Sequence, residues 1–119
     1  MGRFGCVEVG GVKIFNTTPH TVKVLGKDGE VLLEVPRATE PLRLQEINDF
    51  TGQVGGIPLF RKSFVGIDLP PAEEDVFYIV SLPVAQLVRR GSHDFIVPHE
   101  LVRDSEGNVV GCKAFAFVD

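Results

Sequence analysis

The chain has 119 residues, 44% of them hydrophobic, and carries twelve Lys/Arg against sixteen Asp/Glu for a net charge of −4. That length argues for a single domain, 1–119, able to bury roughly two-thirds of its unfolded surface, and the composition excludes a disordered tail, a collagen-like rod and a coiled coil. Split at residue 60, the halves carry −1 and −3, so neither is basic enough for bulk nucleic-acid binding.

No apolar run approaches the ~20 residues of a membrane span. The opening Met1-Gly2-Arg3-Phe4-Gly5-Cys6 lacks the apolar centre of a signal peptide, so a cytoplasmic location is expected. Cys6 and Cys112 have no zinc or redox spacing, and two buried reduced thiols are the plain expectation; they could face each other if the first and last strands were neighbours.

In chain order, Cys6 to Val9 and Val12 to Phe15 flank Gly10-Gly11, a pair suited to a two-residue hairpin turn. Thr21 to Leu25 and Glu30 to Val35 flank Gly26-Lys27-Asp28-Gly29 and form a second hairpin. Leu42-Arg43-Leu44-Gln45 alternates and continues the meander. From Thr51 to Asp75 glycines and prolines interrupt the pattern. Ile57 to Phe60 and Lys62 to Ile67 read as short strands around a loop, and Gly52-Gln53-Val54-Gly55-Gly56 is glycine-rich enough to serve as a lid.

Val76-Phe77-Tyr78-Ile79-Val80 is a continuous apolar run, the pattern of a central strand buried on both faces. It leads into Ser81, a good N-cap, and a short helix that tolerates Pro83 in its first turn and ends at Arg89-Arg90-Gly91. Leu82, Val84, Ala85, Leu87 and Val88 cover nearly the whole circumference, which predicts a helix inside the protein. Phe95 to Pro98, Leu101 to Arg103, Val109-Val110 and Ala114 to Val118 complete the strands around a turn at Asp104 to Asn108. The last strand is apolar on both faces, and one face is a candidate subunit interface. Roughly eight strands and one helix predict an α+β fold: a mostly antiparallel, strongly curved sheet or partial barrel wrapped around one short buried helix.

No phosphate loop, nucleophile elbow or zinc helix is present, and His20, His93 and His99 show no metal spacing. The candidate binding residues are Asn16, His20, Tyr78, Ser81, Arg89, Arg90 and Arg103, and each has a structural alternative. Ser81 either caps its helix or shares a helix N-terminus with an anion. Arg89 and Arg90 either complement the helix dipole or fork a phosphate. Arg103 either pairs with Asp104 or Glu106, or holds a phosphate from a strand end. Tyr78 either fills the core or stacks on a base. Asn16 and His20, in the segment Asn16-Thr17-Thr18-Pro19-His20, either fix a loop or meet a ribose or base edge.

Asn16-Thr17-Thr18-Pro19-His20-Thr21-Val22 resembles the Asn-Leu-Thr-Pro-His-x-Val opening of a family of small phage, prophage and bacterial proteins. Tyr78-Ile79-Val80-Ser81, Val84-Ala85-Gln86, Val102-Arg103-Asp104, Gly107 and Gly111-Cys112 resemble its later motifs, so the likeness runs from about residue 12 to 117. The chain departs from that pattern at Thr17, at Pro83, and in having two adjacent Arg and then His93 after the helix. The set is similar to the phage sponge proteins that defeat Thoeris immunity. That resemblance implies a non-enzymatic, cofactor-free protein that sequesters a cyclic ADP-ribose or cyclic-oligonucleotide signal and assembles as a dimer or larger homo-oligomer. A structural or regulatory oligomer without a small ligand is the alternative, followed by a small nucleotide-acting enzyme with His20 or His99 as base.

Overall fold

A computed structural model of the chain describes residues 2–88 and 90–119. Among these residues the elements are β1 (Gly5–Val9), β2 (Val12–Asn16), β3 (Val22–Leu25), β4 (Val31–Val35), β5 (Arg43–Val54), β6 (Ile57–Ile67), β7 (Val76–Ile79), α1 (Leu82–Leu87), β8 (Phe95–Arg103) and β9 (Val109–Ala116). Seven strands form one sheet in the order β1-β2-β7-β8-β9-β3-β4, and β5 and β6 pair with each other alone.

The local turns follow from glycine. Gly10 and Gly11 take φ values of +60° and +79°, the mirror-image turn that matches the twist of a two-residue hairpin, and register Val9 against Val12. The β3–β4 hairpin closes over Gly26 and Gly29. The seven-stranded sheet is mixed: β2, β7 and β8 run parallel, β9 pairs parallel with β3, and the other neighbours are antiparallel. The parallel pairs arise because β7 enters between β2 and β8 through long connections, and α1 supplies the crossover between β7 and β8.

β7 is buried on both sides, as its uninterrupted apolar run predicts. Val76, Tyr78 and Val80 join Leu42, Phe95, Val97 and the helix residue Val84 in one cluster. Ile79 points the other way and joins Ile14, Val22, Val35, Ile96 and Cys112, contributed by β2, β3, β4, β8 and β9. The second cluster fills the inside of a nearly closed, barrel-like sheet, whereas α1 covers its outside.

The expected helix at the centre of a wrapped sheet is therefore corrected. Only Val84 of α1 is buried, while Leu82 and Leu87 stand 50% and 43% exposed. The helix lays one side on the core, Val84 buried and Ala85 half-buried against the same cluster, and leaves Leu82 and Leu87 facing outward. The helix also ends at Leu87, capped by Val88, so no basic residue lies in its last turn and Arg90 falls beyond it.

Where the sheet nearly closes, Gly5 of β1 lies against the backbone of Pro36 just after β4, and a Cβ on Gly5 would overlap the Pro36 carbonyl. Backbone cannot move aside as a side chain can. Gly5→Ala is expected to destabilise the fold by roughly 2 kcal/mol, the cost of forced overpacking, read as a lowered urea midpoint with an unchanged m-value. The two thiols are free and separated. Cys112 is buried, but Cys6 is exposed on β1, with β2, β7 and β8 between it and β9. The expectation that both are buried fails because Cys6 sits on the outer side of the edge strand.

The region read as a loop with two short strands is instead a long arm. β5 continues to Val54, β6 returns from Ile57, and Gly55-Gly56 make the same positive-φ turn as Gly10-Gly11. The candidate lid is the tip of this hairpin. No helix among the described residues is long and apolar enough to cross a membrane.

Candidate functional site

The sequence candidates fall into three groups. Asn16 and His20 belong to the β2–β3 connection. Asn16 is fully buried: its Nδ2 donates to the carbonyls of His20 (2.8 Å) and Val35 (3.2 Å), and its Oδ1 accepts from the Thr18 amide and hydroxyl. Thr17 adds a hydroxyl bond to the Ile79 carbonyl, 2.7 Å, which ties the loop to β7. This arrangement fixes the loop and leaves the His20 side chain exposed.

Arg103 and Ser81 also sit in local structure. Arg103, at the end of β8, donates from Nη1 to the Gly107 carbonyl across the β8–β9 turn, 2.9 Å. Asp104 braces the same turn by accepting from the amides of Glu106 and Asn108. The Ser81 hydroxyl accepts from the Val84 amide and caps α1.

Tyr78 and Arg90 are brought together. The Tyr78 ring stacks on Phe15 at 5.5 Å and meets Phe95 edge-on at 6.2 Å, and its hydroxyl donates to the Pro71 carbonyl. Burial, with the Glu73 carboxylate adding to it, pushes the phenol above its usual pKa. The Arg90 guanidinium lies 4.6 Å over Phe95 and 5.7 Å over Tyr78. It forks Asp94 through Nε (2.8 Å) and Nη2 (3.0 Å), and the Ser92 hydroxyl completes the bracket with a 2.7 Å bond to the same carboxylate. Burial alone would raise the Asp94 carboxyl, but the Arg90 and Ser92 hydrogen bonds and the guanidinium charge outweigh it and hold its pKa below the ordinary aspartate value. Arg89, the other candidate of the pair, lies outside the described residues.

Arg90 borders a cavity of about 270 Å³ between α1, the α1–β8 loop and the end of the chain. Gln86, Arg90 and His93 supply polar groups there, Phe95 and Phe117 supply aromatic ones, and Asp119 closes one side. The volume falls just short of the ~300 Å³ at which small-ligand sites begin, and the lining is more polar than the mainly apolar make-up usual for them. Arg90 is held in one orientation by its neighbours. Nε and Nη2 hold Asp94, Nη1 makes no bond to the described residues, and the fork cannot turn without losing its aromatic stack.

His93 sits on the rim with φ +54°, a left-handed conformation that costs a non-glycine residue about 1 kcal/mol or more. An open apolar groove beside Phe4, Cys6 and Phe15 has no comparable convergence of polar groups. Among the described residues no cluster of His, Cys, Asp and Glu is placed to hold a metal ion.

Gln86, His93, Phe95 and Phe117 were not among the sequence candidates for this site. Neighbouring residues in an extended segment point to opposite faces, which disfavours His93-Asp94 as an imidazole oriented by a carboxylate. The partner of Asp94 is in fact Arg90, and the signal was the spacing Arg90-x-Ser92-x-Asp94 after a helix. Compared with known proteins, the chain matches no family model, no curated protein and no solved structure.

Proposed function

We propose that the protein is a non-enzymatic binder that sequesters a small phosphorylated nucleotide-type signal, of the cyclic ADP-ribose or cyclic-oligonucleotide class. The observation that carries this reading is the Arg90 bracket at the cavity edge. A guanidinium held in place by a carboxylate and two aromatic rings presents its remaining donors to an anion with little further ordering cost. Phe95 and Phe117 offer apolar and stacking surface, and Gln86 and His93 offer hydrogen-bonding groups. The resemblance of the Asn16–Val22 and Tyr78–Ser81 segments to the sponge proteins supports the same class of ligand.

Thermal unfolding against a panel of cyclic ADP-ribose isomers and cyclic di- and trinucleotides tests the proposal. A ligand at one hundred times its Kd adds about 2.7 kcal/mol, which raises the Tm of a domain this size by about 10 °C. No shift with any member of the panel would contradict it. His93→Gly separates contact from folding. Glycine adopts the left-handed conformation freely, so stability is expected to stay within about 1 kcal/mol of the parent, while affinity falls at least tenfold.

A structural or regulatory oligomer without a small ligand is the second reading. The exposed aliphatic side chains of the β5–β6 arm favour it.

A further inference from the structure

The cavity beside Arg90 carries its charges unevenly. Arg90 and Asp119 bring a cation and a carboxylate to its lining, and Gln86 brings a neutral amide. The charge of Arg90 is already matched by Asp94, which its guanidinium forks at 2.8 and 3.0 Å. Asp119 is exposed and takes part in no ion pair among the described residues, whose pairs are Lys62–Glu46 and Arg90–Asp94. Arg90, Asp94 and Asp119, one cation against two carboxylates, are together net negative.

Arg90 can still hold one phosphate. Of its five N–H donors the Asp94 fork uses two, and those left on Nη1 and Nη2 form an end-on edge that grips a single tetrahedral anion. A second phosphate beside the first finds no further Arg or Lys among the described residues of the lining, and it shares the cavity with the Asp119 carboxylate. A sphere of the cavity's 270 Å³ would be about 8 Å across, no more than the Debye length at physiological salt, so an ionised group inside lies within reach of Asp119.

We infer that Asp119 is the specificity-determining residue of this site, admitting a phosphodiester that stands alone beside a sugar hydroxyl and turning away a pyrophosphate. The inference rests on the ligand reading above and chooses between its two classes. In a cyclic dinucleotide a nucleoside separates the two phosphates, so one enters with its neighbouring 2′-hydroxyl, which can donate to the carboxylate. In cyclic ADP-ribose the two phosphates share an oxygen and enter together, and one of them meets Asp119 without a cation of its own. Discrimination then comes from a repulsive group set against the wrong ligand as well as from contacts to the right one.

Isothermal titration of the intact chain with cyclic di-AMP and cyclic ADP-ribose tests it. Both compounds carry adenine and two ionised phosphates, and they differ in how those phosphates are spaced. At about 10 mM salt, where screening is weak, the parent is expected to bind cyclic di-AMP at least tenfold more tightly. Asp119→Asn keeps the size of the side chain and removes its charge. The variant is expected to bind cyclic ADP-ribose at least tenfold better than the parent does, with an unchanged Tm. The parent's preference should shrink at ~1 M salt, where the Debye length falls to about 3 Å. A preference that Asp119→Asn leaves untouched, or a parent that binds cyclic ADP-ribose the better, overturns the inference and leaves the ligand reading in place. Failure of both compounds to bind either protein overturns the inference too, and the wider thermal-unfolding panel then decides the ligand reading by itself.

Discussion

Replacing Asp94 by Asn is expected to destabilise the fold by about 3 kcal/mol or more. The Asp94 and Arg90 side chains are only 7% and 13% exposed, and breaking a buried pair by removing one partner leaves the other charge without compensation. The carboxylate also accepts from Ser92, and the single neutral oxygen that Asn retains cannot replace the charged fork, so the α1–β8 loop loses its ionic anchor. Urea unfolding at pH 7 reads the loss.

The pH dependence gives a second handle on the same residue. The folded-state pKa of Asp94 is lowered, so its contribution is complete above the ordinary carboxylate pKa near ~4 and is lost as pH falls through the lowered value. The gap between parent and Asp94→Asn should therefore be constant near neutrality and shrink below about pH 4. A gap that persists undiminished into strong acid would show that packing, not charge, holds the loop.

Asn16 is the other residue expected to matter most. Asn16→Ala leaves the buried Val35 carbonyl and the Thr18 amide without their partner, at a cost of about 2 kcal/mol for the two backbone groups, while the His20 carbonyl keeps the Thr18 hydroxyl as a donor. Asn16→Asp should be worse at pH 7, because a carboxylate oxygen would face two carbonyl oxygens where the amide donated. That carboxyl would have a raised pKa in the folded state, so the Asp variant should recover stability as pH falls and lose it as pH rises above about 4. Thermal unfolding of the two variants at pH 4 and pH 7 distinguishes them. An Asp variant as stable as the parent at pH 7 would remove Asn16 as the bracket of the β2–β3 loop.

Much of the fold was legible because it is local. Gly10-Gly11 sets one hairpin, the glycines at 26 and 29 set another, and the run from Val76 to Val80 marks the strand with two buried faces. The arm was misread although Gly55-Gly56 repeats the Gly10-Gly11 signal. A bulge between Phe50 and Gly52 shifts the alternation, and the Glu46–Lys62–Asn48 network puts polar residues where a half-buried strand would be apolar. The parallel insertion of β7 between β2 and β8 has no local signature, since strand order depends on long-range packing. An apolar circumference predicts an interior helix, but it also allows one that lays Val84 and Ala85 on the core and leaves Leu82 and Leu87 exposed.

The binding residues were less legible than the fold. Ser81 caps its own helix and Arg103 serves its own turn, whereas Asn16 reaches the Val35 carbonyl and Tyr78 stacks on Phe15, contacts that only the fold brings together. Arg90 combines the two, because besides the nearby Asp94 and Phe95 it lies over the Tyr78 ring, which β7 brings beside β8 and sequence spacing does not show. The cavity beside it draws on the helix, the following loop and the last residues, three segments with no shared motif.

The most direct test of the account is retention and release of the ligand. The protein is incubated with the cyclic ADP-ribose isomers and cyclic di- and trinucleotides, free ligand is removed by filtration, the protein is denatured by heat, and both fractions are read by mass spectrometry beside the His93→Gly variant. The account predicts one compound depleted from the filtrate, released intact on heating, and retained at least tenfold less well by the variant. A compound returned chemically altered, or no compound retained at all, would contradict it.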